Sequence, residues 1–253
     1  MNQLATLGLA LNLVPRNSLT IRAGQLVAGV PQLSSIFTGT IVAAYGDYEA
    51  QPDVPFIFDC NLGLSDAVNT TPPTSFPQPF DVATAMAGFA RQMNIGFMNS
   101  GNVNITLPPM YFSGSAKVQA DKCADAAGIN WGTPNFATLE IWPRGGNRNT
   151  PNLPVISKAT GMVGYPAFTK QGIIVKTLFN PLIAFGGLIQ VESSLLSGIA
   201  SAQAASAAQT FPTQWAVNKL DMMLDTLLPK GQWLSTIYAY NPGYAKGIIP
   251  PTT

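Results

Sequence analysis

The chain has 253 residues, a formal net charge of +1, no histidine and only 10% charged residues, against roughly 25% in an average soluble protein. The absence of histidine excludes Ser-His-Asp and Cys-His nucleophile systems and histidine metal ligands, and the near-neutral balance argues against nucleic-acid binding by bulk electrostatics. Because a freely solvated surface usually carries more charge, the composition favours an assembly component over an enzyme, and we expect no cofactor, no metal and no membrane span.

The first part of the chain predicts β-strands. Residues 18–27 have an extended pattern with a turn at Ala23-Gly24, and residues 31–44 and 54–61 alternate apolar with polar side chains. The proline-rich segment 69–78 then predicts a connector, since proline and polar residues cluster there.

The middle of the chain predicts a small α/β module. Asp81 can cap a helix that runs to about residue 94, with an apolar stripe at Val82, Met86, Phe89 and Met93. A second helix is predicted over residues 116–127. It would be capped by Ser113 or Ser115, would bury Ala116, Ala120, Cys123 and Ala127, and would end at Gly128. Strands are predicted at residues 102–107, 129–131 and 138–142.

The last part of the chain returns to strand patterns. Predicted strands cover residues 172–178, 187–192, 214–221 and 233–240. Residues 194–209 are rich in Ala, Ser and Gln, a composition compatible with a helix, a long loop or an insertion that orders against a partner. The glycine-rich run 144–148 is interpreted as an arginine-bearing turn, because no helix pattern follows it as a phosphate loop requires.

The charged residues are sorted along the sequence. Acidic residues occur between positions 47 and 66 with no basic residue among them, and basic residues occur between 144 and 176 with no acidic one. The acidic stretch lacks EF-hand spacing, so either ordinary solvated loops or charge contacts between subunits account for it better than a metal site. Candidates for such contacts are Asp47, Glu49, Asp53, Arg144, Arg148 and Lys158. Cys60 and Cys123 are expected to be free thiols.

A family resemblance appears in residues 161–182, GMVGYPAFTKQGIIVKTLFNPL. This segment resembles baseplate hub proteins of contractile-tailed bacteriophages, which are related to pyocin and type VI secretion spike hubs. The resemblance extends to a later strand that begins with an aromatic residue and to a turn before the last strand. The residues that carry it are Gly161, Gly164, Pro166, Gly172, Asn180, Pro181, Trp215, Gly231 and Trp233.

The resemblance implies a fold for the whole chain. Residues 29–41 resemble the first strand pair of a tube-like barrel, and residues 80–142 resemble the small domain inserted between two barrels. The implied class is β-rich α+β, with two tube-like antiparallel β-barrels and a small α/β module between them. The implied domains are residues 1–77, 78–148 and 149–253.

The resemblance also implies a structural role without catalysis or cofactor. Three copies would form a ring that adapts a sixfold tail tube to a threefold spike. Its channel would pass the tape-measure protein and DNA without specific binding, in a virion baseplate assembled in the host cytoplasm. Implied partners are a second and third copy, the tail tube or tube-initiator protein, the central spike, the tape-measure protein, and baseplate wedge or sheath-adjacent proteins.

Two other functions fit the sequence less well than the hub. A tail-tube or tube-initiator protein would usually be a single barrel with a long hairpin, and the predicted module at residues 80–142 argues against it. A tail-associated lysin would need paired acids in a cleft. The glutamates Glu49, Glu140 and Glu192 lie in no catalytic motif.

Overall fold

The computed structural model describes residues 17–27, 30–63, 70–169, 172–193, 213–227 and 231–242. The predicted segment 194–209 lies outside these residues. Over the described ranges the fold is β-rich, with two α-helices and a curled sheet that forms half a barrel. The chain divides into two compact units. One comprises the described residues up to Phe97 with Thr106–Ala126 and Asn135–Thr138, and the other comprises Met98–Ile105, Ala127–Pro134 and the described residues from Leu139 onward.

A three-stranded antiparallel sheet opens the first unit, with the order β1-β2-β3. Its strands are β1 (Ser18–Val27), β2 (Val30–Gly46) and β3 (Phe56–Asn61). β1 pairs with the first part of β2 up to Thr40, and β3 pairs with the second part from Thr40 onward. The two halves of β2 therefore have different neighbours, and Thr40 is paired on both sides.

The predicted turn at Ala23-Gly24 is wrong, because β1 runs through it without interruption. Gly24 pairs with Leu33 of β2, and a Cβ atom at Gly24 would collide with the carbonyl oxygen of Gln32. The glycine is therefore required for the close approach of two strands rather than for a change of direction.

The rest of the described chain up to the second helix consists of short strands around two helices. In chain order they are β4 (Thr74–Phe76), β5 (Phe80–Asp81), α1 (Val82–Gln92), β6 (Gly96–Met98), β7 (Thr106–Leu107), β8 (Met110–Phe112) and α2 (Ala116–Ala127). β4 pairs with β8, and β5 pairs with β7. None of the described helices is long and apolar enough to cross a membrane.

The predicted strand over residues 102–107 forms only at its end. The side-chain amide of Asn99 accepts a hydrogen bond from the Val103 N–H and donates one to the Val103 carbonyl, both at 2.8 Å. Asn102 adopts a φ of 52°. Since the side chain of Asn99 occupies both backbone groups of Val103, that residue cannot join a strand ladder.

Helix α1 confirms its predicted cap and buried stripe. The Asp81 carboxylate accepts hydrogen bonds of 2.8 Å from both the N–H and the hydroxyl of Thr84. Burial acts to raise the pKa of Asp81, but the bonds from Thr84 and Ala83 outweigh it and hold the pKa below its usual value. Val82, Met86 and Phe89 are buried on the inner face.

Helix α2 also has its predicted bounds. The Ser115 hydroxyl accepts a hydrogen bond from the Val118 N–H at 3.4 Å, and Gly128 follows the helix with a φ of 63°. Ala116, Ala120 and Cys123 are buried as predicted. The predicted burial of Ala127 is only partial; Gln119 and Ala124 are buried instead, because the inner face turns as the helix advances.

The second unit contains the curled sheet of six strands. Before it in the chain lies the antiparallel pair β9 (Ile129–Gly132) and β10 (Thr138–Pro143). This pair forms a separate three-stranded sheet with β6, in the order β6-β10-β9. The six strands are β11 (Val155–Ile156), β12 (Met162–Thr169), β13 (Gly172–Leu178), β14 (Leu188–Val191), β15 (Gln214–Leu224) and β16 (Trp233–Tyr240). Their order is β11-β14-β15-β16-β13-β12, and the β11–β14 pair is parallel.

One face of the six-stranded sheet carries the core of this unit. Along β13, Ile173, Val175 and Thr177 are buried while Lys176 and Leu178 are exposed, as strict alternation requires. The buried cluster comprises Ile156, Ile173, Val175, Ile183, Ile189, Val191, Trp215, Val217, Ile237 and Ala239. The β-rich class is thus confirmed, whereas two complete barrels and the domain boundaries after residues 77 and 148 stay predictions.

Replacing the capping carboxylate should destabilise the chain measurably. We expect Asp81→Ala to lower the free energy of unfolding by about 1 kcal/mol, because the Thr84 N–H would lose its partner. The control is Asp121→Ala, which breaks an exposed i,i+4 pair with Lys117 and should cost no more than about 0.5 kcal/mol. Urea denaturation followed by circular dichroism measures both, and equal losses would contradict the assigned cap.

Candidate assembly site

The residues that carry the family resemblance all lie in the second unit, in or beside the six-stranded sheet. They fall into three groups: the edge strand β12 with the start of β13, the connection from β13 to β14, and the strands β15 and β16 with the turn between them. The structure therefore brings together a set that is dispersed over more than seventy positions of the sequence.

The edge strand β12 depends on two glycines. Gly161 precedes it with a φ of 102°, and its carbonyl accepts hydrogen bonds from the Leu178 N–H at 2.8 Å and the Thr177 hydroxyl at 3.2 Å. Gly164 has a φ of 74° within a β-bulge, where the pairing with β13 is interrupted between Val163 and Ala167. Both conformations are left-handed and favour glycine.

Gly172 allows β13 to approach β16. A Cβ atom at this position would collide with the carbonyl oxygen of Ala239, so no larger residue fits without moving the strand. The hydroxyl of Thr169 accepts a hydrogen bond from the Gly172 N–H at 3.0 Å. This hydrogen bond joins the end of β12 to the start of β13, where Gly172 packs against β16.

The Asn180-Pro181 pair forms the turn after β13. The Asn180 side chain accepts a hydrogen bond from the Leu182 N–H at 3.0 Å, and its carbonyl accepts one from the Ile183 N–H at 3.2 Å. Pro181 is exposed and fixes its own φ, whereas Ile183 enters the core. The turn therefore reverses the chain and places Ile183 in the core of the second unit.

The two tryptophans of the set lie at opposite ends of the β15–β16 pair: Trp215 lies near the start of β15, and Trp233 starts β16 opposite the end of β15. Trp215 is buried in the core cluster. The indole N–H of Trp233 donates to the carbonyl of Asp225 at 3.1 Å, and its ring meets Phe179 edge-on at 5.8 Å between centroids. Gly231 lies so close to Asp225 that a side chain at position 231 would collide with the Asp225 backbone.

A buried ion pair that the sequence analysis did not single out holds β10 against this sheet. The Arg148 guanidinium donates to both carboxylate oxygens of Glu140 at 3.1 Å and to the Phe185 carbonyl at 2.9 Å. Both side chains are less than one-tenth exposed. The Arg148 N–H also donates to Gly186, whose own N–H donates to Val217 on β15. The pair therefore connects β10, two turns and β15.

The other charged candidates lie at the surface. Glu49, Asp53, Arg144 and Lys158 are exposed, and Asp47 is half-buried where its carboxylate accepts a hydrogen bond from the Glu49 N–H at 3.0 Å. Arg148 is used inside its own chain, so the hypothesis of charge contacts between subunits depends on the other five residues. Within the described ranges, none of the ion pairs joins the acidic stretch to the basic stretch.

The described cysteines and acidic side chains do not form a metal centre. In the described part of the chain, no group of three or more Cys, Asp or Glu side chains could hold a metal ion. Cys123 is buried, which raises the pKa of its thiol to about 11, and burial with the neighbouring Asp59 raises the pKa of Cys60. The run 144–148 forms a turn, in which the Gly146 N–H donates to the Pro143 carbonyl at 2.9 Å.

Comparison with protein families decides the class of the chain. A family model described as "Baseplate hub gp41" matches residues 10–201, which is more than half of the sequence. The chain belongs to this baseplate hub family. The match includes the part of the resemblance from Gly161 to Pro181, while Trp215, Gly231 and Trp233 lie beyond it.

Solved structures with the same fold include two tail proteins. One is the tail protein from Neisseria meningitidis MC58, with a TM-score of 0.56, 9% identity and coverage of 90% of this chain and 88% of that chain. The other is the 43 kDa tail protein of prophage MuSo2 from Shewanella oneidensis, with a TM-score of 0.56, 8% identity and coverage of 85% and 80%. No curated protein sequence matches the chain.

Family membership establishes the coarse function of the chain. As a member of the baseplate hub family it has a structural role in a phage tail, is located in the tail of the virion, and associates with other tail components. The geometry agrees with such a role, because the residues of the resemblance fix turns, strand contacts and a core rather than a reactive group.

Breaking the buried ion pair should be far more damaging than breaking an exposed one. We expect Glu140→Ala and Arg148→Met each to lower the free energy of unfolding by about 3–5 kcal/mol, because each leaves an uncompensated buried charge or donor. The double variant should lose less than the sum of the two. Chemical denaturation of all three variants measures the coupling, with Lys219→Met at the exposed Lys219–Asp221 pair as control. Simple additivity would show that the pair is not coupled.

The turn after β13 should matter for assembly. We expect replacement of Asn180-Pro181 by Ala-Ala to reduce the yield of assembled tails, because the turn loses its side-chain hydrogen bond and its fixed φ. The control is Ala-Ala at the exposed pair Pro151-Asn152, which has the same composition in reverse order. Electron microscopy of particles counts intact tails, and equal yields from the two variants would count against a role for this turn.

Proposed function

We propose that the chain is the homotrimeric hub of a contractile-tail baseplate, which adapts a sixfold tail tube to a threefold spike. The observation that carries this proposal is the match of the baseplate hub family over residues 10–201. Family membership alone gives neither the number of copies nor the neighbours along the tail axis. In the proposed hub, three copies lie between the tube or tube-initiator protein on one side and the central spike on the other.

The β-sheets support the proposed symmetry. Among the described residues, the first unit contains a three-stranded antiparallel sheet, β1-β2-β3, and the second unit contains a curled half-barrel. If each is completed as a tube-like barrel, three copies supply six similar barrels around one axis. A ring of this kind presents six equivalent surfaces to a tube while keeping threefold symmetry for a spike.

The low charge supports a channel through the ring. A lining rich in Lys and Arg would retain DNA through its phosphates, whereas DNA must slide through a tail without specific binding. The chain carries a net charge of only +1. We therefore place the tape-measure protein, and later DNA, in a channel that does not hold either of them by charge, so that the hub takes part in DNA ejection.

The outer surfaces would meet the remaining baseplate. Wedge or sheath-adjacent proteins are the proposed lateral partners, and assembly would take place in the host cytoplasm before the hub enters the virion. In this scheme the chain needs no catalytic activity. Contacts between neighbouring copies would join the acidic stretch 47–66 of one copy to the basic stretch 144–176 of the next. Of the candidates, Glu49, Asp53, Arg144 and Lys158 are exposed and Asp47 is half-buried.

The stoichiometry of the purified chain tests the proposal directly. Native mass spectrometry of the full chain, alone and with the spike protein of the same phage, should give a trimer or a monomer that becomes a trimer when the spike is added. A hexameric ring would instead identify a tube or tube-initiator protein. A chain that stays monomeric under both conditions would overturn the trimeric hub.

A further inference from the structure

The acidic loop (residues 47–55) between β2 and β3 is closed by its own hydrogen bonds. The Asp47 N–H donates to the Pro55 carbonyl at 2.9 Å, which closes the loop, and the Asp47 carboxylate caps the short 3-10 helix Tyr48–Ala50. Tyr48 and Val54 both lie over Gly46, where a Cβ atom would approach them at 3.3 and 3.6 Å. These contacts fix the backbone of the loop within its own chain, so the position from which Tyr48 is exposed does not depend on a partner.

The acidic loop exposes an aromatic ring beside several negative charges. The Tyr48 side chain is 68% exposed and Val54 is 42% exposed. Asp47, Glu49 and Asp53 form no ion pair in the described chain, and no Lys or Arg occurs in the sequence between residues 22 and 91. An exposed tyrosine on a closed loop is typical of the anchors of protein interfaces, and the negative charges around it favour a basic partner surface.

A surface with matching properties lies on the outer face of the six-stranded sheet. Lys176 of β13 is in register with Thr236 of β16 and Asp221 of β15, and Leu178 is in register with Leu234 and Met223. Leu178 is 53% and Met223 is 62% exposed. These strands enclose the outer groove, defined by Lys176, Asp221, Met223, Leu234 and Thr236, with a volume of about 170 Å³.

The outer groove has an uncompensated positive charge. The carboxylate of Asp221 is already paired with Lys219 at 2.8 Å, whereas Lys176 has no ion pair within the residues that the structure describes. The volume of the outer groove, about 170 Å³, is below the roughly 300 Å³ at which small-molecule sites begin. An apolar slot of this size with one free ammonium group suits a protruding side chain with acidic neighbours better than a ligand.

We propose that the acidic loop of one copy docks into the outer groove of the next copy, with Tyr48 over Leu178 and Met223 and with Glu49 facing Lys176. This inference rests on the proposed trimer. The loop and the groove are different surfaces of the same chain, so the contact between copies is head-to-tail. A head-to-tail contact closes into a ring when the rotation between copies permits it, as a threefold hub requires.

Charge reversal tests the docking in the full chain. Lys176→Glu should weaken trimer formation by about tenfold or more, and so should Glu49→Lys, because each places like charges together. The double variant Glu49→Lys with Lys176→Glu should restore most of the loss. Lys122→Glu on α2 is the matched control, because it makes the same change of charge outside the groove and should leave the trimer intact.

Two further measurements keep the result independent of folding. Tyr48→Ala removes only a largely exposed ring, so it should weaken the trimer while the thermal unfolding midpoint stays within a few degrees of the parent. In addition, a mixture of Glu49→Cys chains with Lys176→Cys chains should give a disulfide-linked dimer under mild oxidation. Neither variant alone should form this product, and the mixture can form it only between copies.

The outcomes separate this inference from the proposed function. A trimer in which the mixture does not cross-link and Lys176→Glu has no effect would overturn the docking and leave the trimeric hub standing. A chain that forms no trimer, alone, with its spike or in assembled tails, would overturn both. Cross-linking together with restoration by the double charge reversal would support both.

Discussion

The Glu140–Arg148 pair is the interaction on which the second unit depends most. The guanidinium bridges a strand, β10, and the turn that carries the Phe185 carbonyl, and the backbone of Arg148 continues the connection through Gly186 to β15. Removing two charges from water carries a large desolvation penalty, which only good geometry and further hydrogen bonds offset. Here the carboxylate receives two bonds and the guanidinium also reaches a carbonyl, so both conditions are met. The pair fixes where β10 lies against the sheet rather than adding a large net stability.

Around this pair, the sheet is assembled through positions that tolerate little change. Gly186 has a φ of 74°, and a Cβ atom there would lie 2.7 Å from the Trp142 ring. The same ring meets Phe185 edge-on at 5.4 Å. The high glycine content of the chain therefore has a specific cause in this unit: turns and strands come close enough for backbone to pack on aromatic rings. A hub that must match several neighbours at once needs its strands held in such fixed positions.

Several elements could be predicted from sequence to the residue. The bounds of α2, β13 and β16 agree with the expected ranges, because a capping serine with a following glycine and strict alternation are strong local signals. Strand β12 was not predicted, since its glycine and proline argue against a strand, and only pairing with β13 around a bulge forms it. The Glu140–Arg148 pair was missed for a related reason. Glu140 lies in a strand with apolar neighbours on both sides, and no local pattern shows that its partner is an arginine in a later turn.

The burial of Cys123 has a chemical consequence for the folded chain. The thiolate is the form that reacts with oxidants and disulfides. With a pKa of about 11, Cys123 has only about one thiolate in ten thousand molecules at pH 7, and its side chain is fully enclosed. The pKa of the less enclosed Cys60 is raised as well. Reaction of Cys123 with an oxidant or a disulfide therefore requires the chain to open around it first, because in the folded state its sulfur is enclosed and almost wholly protonated.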